Sequence, residues 1–204
     1  MWVRVATFEG GDPVKADEIV KEQMASGDLA TPEGMNSVLV LDDKDAKKRK
    51  FLAFFDSKDA ITAAEPAFEQ LGDTIPEEIR GRRTTVHSYE VVIHDGDIEH
   101  AKAARVSVLE GSADAIDAGL DKTRGETLPK VRAIEGNVGA IGLADRDSGR
   151  VSMITLWDSA DTMRASEQEA DQLREQTADL GGQKISTVAR YEVAMAQSVS
   201  GTPA

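Results

Sequence analysis

The chain has 204 residues, 40% of them hydrophobic and 30% charged, and a formal net charge of -13. That mix describes a folded globular protein, and its acidity works against nucleic-acid backbones and anionic membranes as partners. It contains no cysteine, which removes disulfides, thiolate metal sites and a cysteine nucleophile from consideration.

Trp2 to Phe8 alternates and is rich in β-formers, so the first predicted element is a strand. Asp12-Pro13 starts a helix, because aspartate caps free amides and proline suits a first turn whose N–H would be unpaired anyway. The helix runs through Val14, Ile19, Val20 and Gln23 towards Ser26, and Gly27, Pro32 and Gly34 break it. Ser37 to Leu41 and Arg49 to Phe55 form a hairpin around the polar turn Asp42 to Lys48. Asp56-Ser57 caps a helix over Lys58 to Leu71, Pro76 to Ile79 adds a short turn, and Thr84 to Ile93 is a fourth strand. The order then recurs. Ala104 to Leu109 is a strand, Ala113 to Thr123 a helix with a turn at Pro129, and Gly139 to Leu143 with Arg150 to Trp157 a hairpin. Ala160 to Ala178 is a helix ended by Gly181-Gly182, and Ile185 to Ala196 the last strand. The first residues enter a strand without a basic stretch and an apolar run, so no signal peptide is expected; nor does any segment reach membrane-spanning length. A cytoplasmic address follows by default.

The recurrence is a duplication. A shift of 102 positions lays Glu33–Ile93 on Glu135–Met195 without a gap, and a shift of 101 lays Arg4–Gly10 on Arg105–Gly111. Residues 1–93 are thus one unit, 94–101 a linker, 102–196 a second unit and 197–204 a tail expected to fray. Each unit reads β-α-β-β-α-β, the ferredoxin-like plan of the α+β class, with four antiparallel strands burying one face against two helices. The other face needs a cover that so small a unit cannot supply, and the second copy can supply it, which predicts a pseudo-dimeric α/β barrel.

At the end of the third strand of the second copy, Ile154-Thr155-Leu156-Trp157-Asp158-Ser159-Ala160-Asp161 resembles the strand-into-helix junction of the antibiotic-biosynthesis-monooxygenase-like family, and Phe54-Phe55-Asp56-Ser57 is its weaker copy. The resemblance implies the dimeric α/β-barrel superfamily. That group includes cofactor-free quinone-forming monooxygenases, haem-degrading enzymes, isomerases and proteins without a known reaction, so fold alone does not assign chemistry. Haem-degrading members would want an Asn, a Trp and a His; the first strands offer Arg4 and Arg105 instead, and no helical histidine follows Trp157.

Several residues are candidates. Alternation puts Arg4 with Ala6 and Phe8 on one face of the first strand, and Arg105 with Ser107 on one face of its copy. With Val106 and Val108 taken to face the helices, Arg105 points into the barrel; the fourth strand lies beside the first, so Arg4 is expected to pair with Glu90 and Arg105 with Glu192. Such pairs suit a ligand-holding arginine with a glutamate as orienter or base, or else an inherited structural ion pair. His87 is a candidate base in one half only, since Ala189 stands at the matching place. Trp157 and Tyr191 are candidates to touch a planar substrate, Trp157 equally a large core side chain. His94 and His100 sit among acidic linker residues, and Lys47 to Lys50 reads as a solvated basic loop. No cofactor or metal site is expected.

Three functions fit: a cofactor-independent monooxygenase-like enzyme acting on a small aromatic or polyketide-like substrate, a non-catalytic small-molecule-binding or stress-response module, and a structural or assembly domain. The expected partner is a small-molecule ligand, with the chain a monomeric pseudo-dimer or a homodimer.

Overall fold

A computed structural model describes residues 1–26 and 31–199. The chain packs as two compact units: Met1–Ser88 with the stretch from Ala194 onward, and Tyr89–Val193. The elements of the first half are β1 (Trp2–Glu9), α1 (Pro13–Ser26), β2 (Met35–Asp43), β3 (Lys48–Phe55), α2 (Lys58–Thr74), α3 (Glu77–Arg80) and β4 (Arg82–Gly96). A 3₁₀ turn at Ile98–His100 leads to β5 (Ala103–Glu110), α4 (Ile116–Lys122), α5 (Leu128–Ala133), β6 (Asn137–Asp145), β7 (Arg150–Trp157), α6 (Ala160–Ala165), α7 (Glu167–Gly181) and β8 (Lys184–Ser198). The fold is α+β with eight antiparallel strands, as the duplicated pattern predicts. The predicted tail overlaps the end of β8, and its residues 200–204 lie outside the described residues, as does the break expected at Gly27.

In the first unit the hydrogen-bonded strand order is β4-β1-β3-β2-β8; in the second it is β8-β5-β7-β6-β4. The unit boundaries, 88/89 and 193/194, fall inside β4 and β8, so each of these long strands contributes a stretch to either unit. The registers match across the duplication: Trp2 faces Phe55 and Glu9 faces Lys48, while Ala103 faces Trp157 and Glu110 faces Arg150. A bulge between Met35 and Ser37 recurs between Asn137 and Gly139.

Caps and cores explain the helices. Ser57 Oγ accepts from the Ala60 amide, and Ser159 Oγ from the Thr162 amide, the same N-cap in both copies. In the first unit Ala53, Phe55, Ile61 and Ala64 form a core against which Trp2, Phe51 and Phe68 pack. In the second, Ala103, Ile134, Trp157, Met163 and Leu173 form one cluster, and Ile93, Ile116, Leu120, Leu128 and Val151 contribute to another.

Three elements differ from expectation. The first helix of the second copy does not stop at Thr123: a wide turn over Thr123–Thr127 carries it into α5, and Pro129 sits in that helix's first turn, where proline is tolerated. The predicted helix Ala160–Ala178 breaks at Ser166, whose hydroxyl donates to the Met163 carbonyl. Only Lys47 of the basic run is an exposed turn residue; the rest is not a solvated loop. Lys48–Lys50 lie in β3, Lys48 pairs with Glu9, and Arg49 chelates Asp42 at 2.7 and 2.6 Å while reaching Asp17 at 2.9 Å and the Pro13 carbonyl. Arg49 therefore binds α1 to the hairpin; burial opposes its charge, but the two aspartates outweigh that and raise its pKa. Among the described residues no helix is long and apolar enough to cross a membrane.

Candidate functional site

Both first-strand arginines are buried, each 2% exposed, and each is met by a glutamate. Arg4 donates through Nε and Nη2 to Glu65 on α2, at 2.8 and 3.1 Å. Arg105 donates through Nη2 to Glu167 on α7 at 3.0 Å, and also to the Met163 carbonyl and Ser166 Oγ. The 102-residue shift carries Glu65 onto Glu167, so one ion pair has been written twice. The expected pairings Arg4–Glu90 and Arg105–Glu192 are thereby corrected. Glu90 instead takes Arg146 at 2.6 Å, and Arg146 also reaches Asp117. Glu192 is exposed and stands opposite Ala103, while the residue opposite Arg105 is Arg190.

The reason is orientation. Alternation correctly groups Arg4 with Ala6 and Phe8, and Arg105 with Ser107, but those faces meet the helices: Ser107 Oγ accepts from Arg174 on α7 at 3.0 Å. β1 and β5 are buried on both faces over most of their length, so valines mark neither side as the helix side.

The surroundings of the two arginines diverge. The Arg4 guanidinium lies 4.3 Å from the ring centroid of Phe68 on α2; that of Arg105 lies 5.2 Å from Trp157 on β7. Ala170 occupies the place of Phe68, and Phe55 that of Trp157. Glu167 also binds Arg190, with Arg174 at 3.9 Å, whereas the matching places in the first unit are Ser88 and Gly72. Burial would raise the Glu167 pKa; Arg190 and Arg105 reverse that and hold it below its ordinary value. Burial depresses the Arg105 pKa against the pull of Glu167, and its Nε and Nη1 are buried without hydrogen-bond partners among the described residues.

These differences set the empty space between sheet and helices. In the first unit a cavity of about 280 Å³ lies over Arg4, Ala6, Phe8 and Phe51, walled by Ala16 and Val20 of α1 and by Phe68, Leu71 and Gly72 of α2, with Arg80, Arg82 and Arg83 at its rim. A Cβ on Gly72 would meet nothing within 4 Å. In the second unit the equivalent space holds the Arg174 side chain, and the cavity beside Arg105 and Trp157 is only about 60 Å³. Trp157 is fully buried, and its indole N–H donates to Thr155 Oγ1 at 3.1 Å.

The remaining candidates do not converge on either cavity. Tyr191 is buried opposite Ala104, on the other face of β8 from Arg190. His87 is exposed on β4. His100 pairs with Asp97 at 2.9 Å, and among the described residues no group of three His, Asp or Glu side chains is placed to hold a metal ion. Sequence reasoning missed Glu65, Glu167, Gly72 and Arg174. The repeat shift aligns each pair and was the available signal; the cavity itself, a matter of side-chain volume, had none.

No family model matches the chain. Two uncharacterised proteins of Mycobacterium tuberculosis are similar: one is 29% identical over 79 residues, 39% of this chain and 35% of that one, and the other 32% over 75 residues, 37% and 32% respectively. The chain spans about a third of the length of the curated relatives it matches. Among solved structures it resembles an anthrone oxidase-like protein with a TM-score of 0.68 at 16% identity, covering 98% of this chain and 94% of that one. It likewise resembles a candidate monooxygenase of Fusobacterium nucleatum, at 0.66 and 16%, covering 98% and 95%. A third is an uncharacterised ferredoxin-fold protein of Listeria monocytogenes related to antibiotic biosynthesis monooxygenases, at 0.53 and 12%, covering 95% of each chain. At these identities the likeness is one of fold, and over its whole length this chain has the ferredoxin-type fold of the antibiotic-biosynthesis-monooxygenase-like proteins.

Proposed function

We propose that this chain binds a small molecule in the helix-facing cavity of its first unit, and that binding, not turnover, is its role. The observation that carries this is the cavity beside Gly72, about 280 Å³ with an aromatic and aliphatic floor and a polar rim. Ligand pockets are largely apolar, have a few placed polar groups and begin at roughly 300 Å³. Glycine costs roughly 0.5–1 kcal/mol relative to alanine inside a helix, and here it falls in α2 where a side chain would intrude on the space. The rim carboxylates Glu69 and Glu77 already face Arg83 at 2.8 Å and Arg80 at 4.0 Å, which suits holding a ligand better than moving its protons.

The test is titration of Nile red into the full chain and into Gly72→Arg, which copies the residue at position 174. Binding by the parent and its loss in the variant, with the melting temperature kept, is the expected result. Equal binding by both would reject this site.

Cofactor-independent oxygenation is a second reading. Arg105 and Trp157 share a cavity, two buried nitrogens of Arg105 lack hydrogen-bond partners among the described residues, and the fold is that of an anthrone oxidase-like protein. Its difficulty is size, since about 60 Å³ does not admit a tricyclic aromatic. Oxygen uptake with anthrone, lost in Arg105→Lys, is the result that would favour it. The assembly-domain reading calls for a contiguous apolar patch; the exposed large apolar side chains among the described residues are Met1 ahead of β1, Val14 on α1 and Val86 on β4.

A further inference from the structure

We infer that the ligand of the first-unit cavity is a straight-chain aliphatic carboxylate, bound with its head at Arg82 and its chain threaded between Phe51 and Phe68; this rests on the ligand-site reading above. A second cavity of about 130 Å³ adjoins the first in the same unit. The two share Val20, Phe51, Phe68 and Leu71 as lining, so these side chains stand where the two chambers meet. The rings of Phe51 and Phe68 stand edge to face there, with centroids 6.3 Å apart. A rigid polycycle cannot occupy both chambers without displacing these rings, whereas a single alkyl chain has the narrow cross-section their junction requires.

The ends of this path differ chemically. The far chamber is lined by Met35, Val38 and Met195 among others, and methionine's flexible thioether adapts to irregular apolar shapes. At the near end, Arg83 is committed to Glu69, and Arg80 donates to the Ile75 and Gly81 carbonyls. Arg82 lines the same cavity, is exposed at its mouth, and makes no ion pair among the described residues. A mainly apolar far chamber, with one guanidinium that makes no ion pair among the described residues at the entrance, selects a molecule with a long apolar chain and one anionic, hydrogen-bond-accepting head.

The experiment is displacement of Nile red from the full chain by hexanoate, decanoate, tetradecanoate and 1-decanol. Decanoate is expected to displace the dye better than hexanoate, because the longer chain buries more apolar surface, and better than 1-decanol. Arg82→Gln should weaken decanoate about fivefold, the scale of one partly exposed ion pair, and leave 1-decanol unchanged. Ala67→Leu, which fills the far chamber from α2, should cost decanoate and tetradecanoate affinity and spare hexanoate. Both positions are exposed, so folding is expected to survive both changes. If Nile red binds the parent and not Gly72→Arg, yet no carboxylate displaces it or Arg82→Gln changes nothing, the ligand class is overturned and the site stands. If Nile red does not distinguish the parent from Gly72→Arg, both fall.

Discussion

In the first unit Arg4 is held by one carboxylate and stacked on Phe68, and beside it Gly72 leaves a cavity of about 280 Å³. In the second, Arg105 shares Glu167 with Arg174 and Arg190, lies against Trp157, and has about 60 Å³ beside it. The backbone plan, the N-caps, the bulge and the buried arginine–glutamate pair are common to both. Three aligned exchanges, Phe68 with Ala170, Gly72 with Arg174 and Ser88 with Arg190, redistribute volume and charge. Duplication has kept the frame and separated the contents: one half has open space, and the other has filled it with an ion network.

Trp157→Ala removes the largest fully buried side chain of the second unit and should cost about 4 kcal/mol, read by chemical denaturation. Next, Glu167→Ala takes the carboxylate from both Arg105 and Arg190, while Arg174 keeps Asp171, and should cost about 3 kcal/mol, whereas Glu65→Ala takes it from Arg4 alone, that carboxylate is already 39% exposed, and the cost should be nearer 1 kcal/mol. Equal costs would mean that the two pairs have not diverged energetically. The same network has a pH signature. Because the Glu167 pKa is held below 4.5 in the folded chain, its stabilisation is present above that pH and is lost as pH falls through the lower folded value. Glu167→Gln should therefore flatten stability against pH on the acid side, while neutral-pH differences persist. The smallest effect is the one most specific to the cavity. Gly72→Ala should stabilise α2 by roughly 0.5–1 kcal/mol in a thermal melt, since the added Cβ meets open space. A destabilisation would mean that position 72 is tightly packed.

Much of this architecture is legible in the sequence. The repeat predicts two β-α-β-β-α-β units, and the capping serines 57 and 159 mark the second helix of each. Which face of β1 and β5 meets the helices could not be read, because Val3, Val5, Ala104 and Val106 are as buried as Arg4 and Arg105. With no hydropathy contrast across the strand, the pairing of Arg105 with Glu192 was as plausible as its pairing with Glu167. The helix break at Ser166 was illegible for a related reason: it coincides with a hydroxyl bonded to Met163 and set against a buried guanidinium, a tertiary arrangement with no local signature. The cavity depends on the absence of a side chain at Gly72, and its meaning emerges only when Arg174 is seen filling the matching space.

The most direct measurement is a crystal structure of the full chain grown with decanoate. Density running from Arg82 past Gly72 and between Phe51 and Phe68 towards Met195 is the result this account predicts. A first-unit cavity closed by repacked side chains, or density confined to the space beside Arg105 and Trp157, would contradict it.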